Sequence, residues 1–182
     1  MIYSLVRDNG SSMATRHRSL DEMWMDLALE EARHCLEWGD VPVGAVVVRE
    51  DEVLAAAGNQ REQNKDPTAH AELIAVRAAS ERLGTWRLTG CSLYVTLEPC
   101  AMCAGALVLA RMARLVYGAR DSKGGFAGSL GDIVRDGRLN HRLEVASGVR
   151  ARESTELLRE FFATKRGGVP LPSPEGGPIT SP

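Results

Sequence analysis

Ser92-Leu93-Tyr94-Val95-Thr96-Leu97-Glu98-Pro99-Cys100-Ala101-Met102-Cys103-Ala104-Gly105-Ala106-Leu107-Val108-Leu109-Ala110 holds two kinds of order back to back. Ser92 to Leu97 is short, apolar and rich in strand-forming side chains, so it reads as a buried strand. Pro99 then opens a helix through Leu109, and Cys100 and Cys103, three apart, share a face of its first turn. The same alternation continues outward on both sides. Upstream, Val43 to Arg49 is a continuous apolar run, and Glu50-Asp51 turns it into a second strand, Val53 to Ala57. Asp66-Pro67 supplies an N-cap and a first helical proline for a helix running to about Arg82. Further upstream, Ser19 and Glu22 form a capping box. That helix carries Trp24, Leu27, Ala28, Ala32 and Cys35 on one face, and Gly39 ends it. Downstream come a strand at Arg114 to Gly118, a short helix near Leu130 to Asp136, a weak strand at Leu143 to Val145 and a last helix from Glu153 to Thr164. Buried strands alternating with helices predict an α/β fold of three layers, α/β/α, around a central mixed five-stranded sheet.

The chain has 182 residues, 44% apolar and 25% charged, which suits one soluble domain. The pattern places that domain at 19–166, after a flexible extension over 1–18 and before a disordered tail over 167–182 rich in Pro and Gly. The longest apolar run, Ala101 to Ala110, is half of what a bilayer needs. The apolar start, Ile2 to Val6, stops at Arg7-Asp8, too early for a signal peptide. A cytoplasmic protein without membrane contact is expected, with its four cysteines reduced. The net charge of −2 conceals a gradient. Residues 1–110 carry 10 Lys and Arg against 16 Asp and Glu, and residues 111–166 carry 12 against 7. An anionic partner would dock on the C-terminal third.

His70-Ala71-Glu72 is by itself a common triplet. Pro99-Cys100-Ala101-Met102-Cys103 is more specific, because a helix start favours thiolates. A thioredoxin-like redox pair would use the same cysteine spacing, but it has no use for the second motif upstream. One imidazole and two thiolates suit Zn²⁺, with water in the fourth position, as in a catalytic site. Cys91 lies a whole strand away from Cys100, roughly 20 Å, while His34 and His141 remain open as further donors. Glu72 then stands beside the catalytic water, placed to move its proton to a substrate nitrogen. H-x-E with P-C-x-x-C is the signature of the zinc deaminases of cytosine and adenine.

The resemblance extends beyond that signature. Val41-Pro42-Val43-Gly44-Ala45-Val46, Asn59, Asp66 to Glu72, Tyr94 to Ala106, Gly118-Ala119-Arg120-Asp121, Gly128-Ser129-Leu130, Asn140-His141-Arg142 and Phe161-Phe162 resemble the bacterial tRNA-specific adenosine deaminases over about residues 20–166. The resemblance implies the cytidine-deaminase-like fold, a homodimer and one zinc per subunit on His70, Cys100 and Cys103. It also implies conversion of the wobble adenosine of a tRNA anticodon stem-loop, expected on tRNA-Arg, to inosine. The terminal segments depart from the family pattern, whose C-terminal end is often more basic. Within this frame Asn59 is expected to donate to purine N7, Val43 and Ala71 to wall the pocket, and the Glu98 carbonyl to accept from the departing amine. Asp121, Lys123, Phe161, Phe162, Lys165 and Arg166 are expected to hold the flanking nucleotides, with one phenylalanine in the core and the other on RNA. A deaminase of a free base or nucleoside, such as guanine or cytosine, would share the zinc residues. A zinc-stabilised RNA-binding module would have no need of Glu72.

Overall fold

The computed structural model describes residues 13–166. In chain order the elements are α1 (Met13–His34), a 3-10 turn (Cys35–Trp38), β1 (Gly44–Arg49), β2 (Glu52–Gly58), α2 (Arg61–Asn64), α3 (Ala71–Leu83), β3 (Ser92–Leu97), α4 (Ala101–Leu109), β4 (Arg114–Ala119), β5 (Glu144–Ser147) and α5 (Ala151–Arg166). The five strands form one sheet in the order β2-β1-β3-β4-β5. β1 is antiparallel to both its neighbours, whereas β3, β4 and β5 run parallel. The expected mixed sheet between helical layers is the fold observed.

The central strands are apolar throughout because both faces of the sheet are covered. Successive side chains point to opposite faces. Ala45, Val47, Leu93, Val95 and Leu115 pack with Ala71, Ala75, Ala104 and Leu107 of α3 and α4. Val46, Val48, Tyr94 and Val116 pack with Trp24, Met25 and Ala28 of α1. Gly44 admits α1 directly onto β1: a Cβ there would stand 2.0 Å from the Ala28 carbonyl oxygen. The hairpin between β1 and β2 turns on Glu50 and Asp51, both at positive φ (51° and 61°), as a tight two-residue hairpin requires.

Strand direction decides where the functional residues gather. β3 and β4 are parallel, so Glu98 and Arg120 leave the sheet at the same edge. β1 enters and β2 leaves at that edge, which brings Val43 and Asn59 alongside. The starts of α3 and α4 complete it.

Besides shifts of a residue or two at strand ends and in α5, four features differ from expectation, each for a local reason. α1 begins at Met13, so Ser19 and Glu22 lie inside a continuous helix and not at its start; Met13 and Ala14 are good helix formers. Residues 13–18 are thus helical, while 1–12 and the tail 167–182 lie outside the described residues. Asp66-Pro67 does not open α3, because the Asp66 carboxylate is used in a turn, accepting from Thr68 N and Oγ1 at 2.7 Å each. α4 starts at Ala101, with Pro99 and Cys100 ahead of it. Leu130 to Asp136 is irregular, since the preceding amides of Ala127 and Ser129 donate to the Glu98 side chain.

Candidate active site

Two helix starts meet at the populated sheet edge. His70 and Cys100 each sit immediately before the first turn, with extended backbone (φ −76°, ψ 145° and φ −69°, ψ 174°). Their carbonyls accept the opening helical bonds, from Ile74 N at 3.0 Å and Ala104 N at 2.8 Å. The extended step explains how His70 and Glu72 share a site. Two residues apart on a regular helix they would diverge, but His70 is outside α3, and both line the same cavity. Cys103 enters one turn into α4 and is buried.

His70 Nδ1 lies 3.7 Å from Cys100 Sγ and 3.5 Å from Cys103 Sγ, and the three donor atoms fall within 4.8 Å of one another. A tetrahedral zinc, with Zn–S near 2.3 Å and Zn–N near 2.0–2.1 Å, sets its N and S ligands about 3.6 Å apart. The donor set therefore fits that ion. Among the described residues no other group of three His, Cys, Asp or Glu side chains is spaced for a metal. Cys91 is buried in the core, and the His141 ring donates to the Met112 carbonyl at 2.6 Å.

Protons in this cluster are set by mutual contact. The Cys103 thiol donating to Cys100, with His70 reinforcing it against the opposite effect of burial, holds Cys100 down to about 3. Cys103 is pushed up in turn by the Cys100 thiolate and by burial. Contact with Cys100 raises His70. Glu72 is 4% exposed, and burial raises its carboxyl. A carboxyl that ionises reluctantly is suited to carrying protons near neutral pH.

A cavity of about 640 Å³ opens in front of these groups. Val41, Val43 and Leu97 give it apolar wall, Asn59 an amide, and Arg61, Arg120, Lys123, Arg159 and Arg166 positive charge. Of the residues expected to touch substrate, Val43, Asn59, Glu98, Asp121, Lys123, Phe162 and Arg166 line it. Ala71 does not, being fully buried in the core behind it. Phe161 is buried at 5% exposure while Phe162 is 45% exposed, the division that a 100° helical step imposes. Lys165 folds back, its Nζ 5.4 Å from the centre of the Phe161 ring. Asp121 shapes its own loop, accepting from Lys123 N at 2.9 Å and Gly124 N at 3.0 Å.

The Glu98 side chain has a part the sequence reading omits. Its carboxylate is 2% exposed and accepts from Asp121 N (3.1 Å), Ala127 N (3.0 Å), Ser129 N (2.9 Å) and the Ser129 hydroxyl. Burial alone would raise this carboxyl, but those donors hold it below the usual range. Gly125 is tied to the same arrangement, since a Cβ there would meet Glu98 Cδ at 2.4 Å. Arg159 and Leu158 are also missing from the sequence reading. Their signal was present: Leu158, Phe162 and Arg166 repeat every four residues along α5, and all line the cavity. Arg61 had no such signal, because α2 is a single turn.

Residues 20–166 match the MafB19-like deaminase family. The tRNA-specific adenosine deaminase of Bacillus subtilis (strain 168) is 48% identical over 146 residues, which are 80% of this chain and 91% of that protein. A solved structure from a study of A-to-I editing by tRNA:A34 deaminases at the wobble position of transfer RNA is 47% identical, with a TM-score of 0.72 over 75% of this chain and 99% of its own. Guanine deaminase from Bacillus subtilis is 38% identical, with a TM-score of 0.52 over 54% of this chain and 64% of its own. No helix of the described residues is long and apolar enough to cross a membrane.

Proposed function

We propose that this chain, which belongs to the MafB19-like deaminase family and to the tRNA-specific adenosine deaminases, converts adenosine to inosine at the wobble position of a tRNA anticodon and releases ammonia. The observation that carries this reading is a single cavity that joins His70 and Cys100, backed by Cys103 of the same donor set, and a buried carboxyl to five cationic side chains. His70, Cys100 and Cys103 would hold one zinc ion per chain, which when bound supplies the Lewis acid that makes a water acidic near neutral pH.

Glu72 takes a proton from the attacking water and delivers it to N1 of the adenine. Hydroxide adds at C6, Glu72 takes the proton of that new hydroxyl and passes it to the exocyclic amine, and the C6–N bond breaks to release ammonia as C6=O forms. The Glu98 carbonyl accepts a hydrogen bond from that amine. Asn59 donates to N7, and Val43 packs against the base. Phe162 offers a face on which a neighbouring base stacks. Arg61, Arg120, Lys123, Arg159 and Arg166 hold phosphates, with Lys165 outside the cavity adding to the same positive surface of α5, so binding weakens as salt rises. A base inside a stem cannot reach the floor of such a site, whereas an anticodon loop surrenders one cheaply.

A homodimer accords with α4, which exposes Met102 and Leu109, two turns apart on one face, at 37% and 71%. A tRNA substrate supports the reading of a cytoplasmic enzyme, with tRNA-Arg the first isoacceptor to assay. The likeness to guanine deaminase favours a second reading, hydrolysis of a free purine. Free guanine has no phosphate for the cationic lining to meet. Purified protein incubated with a stem-loop bearing a wobble adenosine should form inosine. Turnover of free guanine, cytidine or adenosine as fast as the stem-loop would overturn the RNA reading.

A further inference from the structure

Asp40, between the 3-10 turn and β1, is fully buried, and its carboxylate bonds both the cavity-lining Asn59 side chain and the turn that carries the cavity-lining Arg61. Its Oδ1 accepts from Val41 N at 3.0 Å and from Asn59 Nδ2 at 2.7 Å. Its Oδ2 accepts from Glu62 N at 2.8 Å and Gln63 N at 3.4 Å, in the first turn of α2. Gln60, the residue preceding that turn, gives it no side-chain cap. Asp40 satisfies those orphan amides from elsewhere in the chain. Arg61, on the same turn, lines the cavity together with Asn59. The Asn59 backbone is fixed as well, with N donating to the Val43 carbonyl at 2.9 Å and O accepting from Trp38 Nε1 at 3.1 Å.

Resting on the reading of Asn59 as the purine contact and Arg61 as a phosphate contact, we propose that Asp40 is a positioning residue that ties base recognition to backbone recognition. A carboxylate only accepts hydrogen bonds, so the Asn59 amide can meet it only through Nδ2. That excludes the turned-over amide and fixes which atoms the base encounters. The same carboxylate holds Arg61 through α2. A neutral amide at position 40 cannot serve both sides. If its oxygen faces α2, its NH₂ opposes the Asn59 and Val41 donors, and if it turns over, α2 loses its cap.

Asp40→Asn keeps the shape of the side chain and isolates this effect. Steady-state kinetics are measured on anticodon stem-loops bearing adenosine or 7-deazaadenosine at the wobble position. The wild type should prefer adenosine on the order of tenfold, the worth of one hydrogen bond. In Asp40→Asn that preference should shrink to about twofold or less, or KM for the adenosine stem-loop should rise on the order of tenfold while kcat changes less. A folded variant with preference and KM both unchanged overturns the proposal. A wild type indifferent to 7-deaza substitution overturns instead the reading of Asn59, and with it the base-recognition half of the inference. If Asp40→Asn does not fold, hydrogen exchange at the Asn59 side-chain amide of the wild type decides. Strong protection is expected there, and exchange as fast as that of an exposed amide overturns the lock.

Discussion

At the entry end of the parallel strands, Asp21, Tyr94, Arg114 and Glu144 consume one another's hydrogen bonds. Arg114 donates to Asp21 Oδ1 at 2.6 Å, to Asp21 Oδ2 at 3.0 Å and to Glu144 at 2.9 Å, while the Tyr94 hydroxyl donates to Asp21 at 3.0 Å. Burial and the neighbouring Asp21 carboxylate push the Tyr94 phenol well up, so it stays a donor. At the exit end, His70, Cys100 and Cys103 bring their donor atoms to a spacing that suits an ion, and Glu72 lines the cavity beside His70 and Cys100. Apart from the exposed Glu144, both clusters consist of buried or half-buried members. They differ in what completes them. The first is closed by its own members and pins α1 to β3, β4 and β5, whereas the second is arranged to be completed by something from outside.

Substitutions should separate the two ends by readout. The largest effect belongs to Glu72→Ala, which should slow deamination by on the order of 10²–10⁴-fold, with zinc content and thermal midpoint nearly unchanged. Near-normal turnover of the stem-loop by that variant would remove Glu72 from the chemistry. Arg114→Ala should do the reverse. It strands Asp21, whose side chain is only 10% exposed, and should cost about 3 kcal/mol in urea unfolding. Activity per folded molecule should survive, and a loss of activity without a loss of stability would break the contrast.

Glu98→Gln lies between the two. The native carboxyl is held below its ordinary range, so its charged form contributes stability above the unfolded pKa of about 4.3 and loses it as pH falls through the lower folded value. The stability gap between wild type and Glu98→Gln should be about 1–3 kcal/mol near neutrality and should close in acid. A gap that widens on acidification would contradict the assignment. The smallest effect is expected at Ser154, whose Oγ is, among the described residues, a buried side-chain oxygen without a hydrogen-bond partner. It faces packed backbone near Gly118, not the cavity. Ser154→Ala should therefore be neutral or stabilising by under about 1 kcal/mol, with activity intact. If activity fell, an unsatisfied group remote from the cavity would matter, and the contrast drawn above would need revision.

The sequence reading is accurate where local pattern and chemistry both constrain the residues. β3 occupies Ser92–Leu97 as expected, because a strand covered on two faces has little freedom of composition. His70, Cys100 and Cys103 come together because few side chains can hold a zinc ion and their spacing is short within each motif. What escaped was decided at a distance. Leu130 to Asp136 has helical periodicity, yet Glu98, about thirty residues earlier, takes the amides just ahead of it. Arg61 and Asp40 carry no motif, and their importance emerges only when the fold sets the buried Asp40 beneath the turn that carries Arg61. The start of α3 was misplaced because Asp66 is a good cap that is already engaged in a turn.

The seating of α1 also has a timetable. Arg150, just ahead of α5, grips Asp26 of α1 with bonds of 2.8 and 2.9 Å across 124 residues of chain. A ribosome adding roughly 5–20 residues per second needs about 6–25 s to cover that interval. Until β3 and β4 have emerged, Trp24, Met25 and Ala28 have only the β1–β2 hairpin to cover them, and the second edge of β1 waits for β3. The nascent chain thus presents a half-covered apolar helix and an open strand edge for many seconds, the kind of surface that chaperones shield.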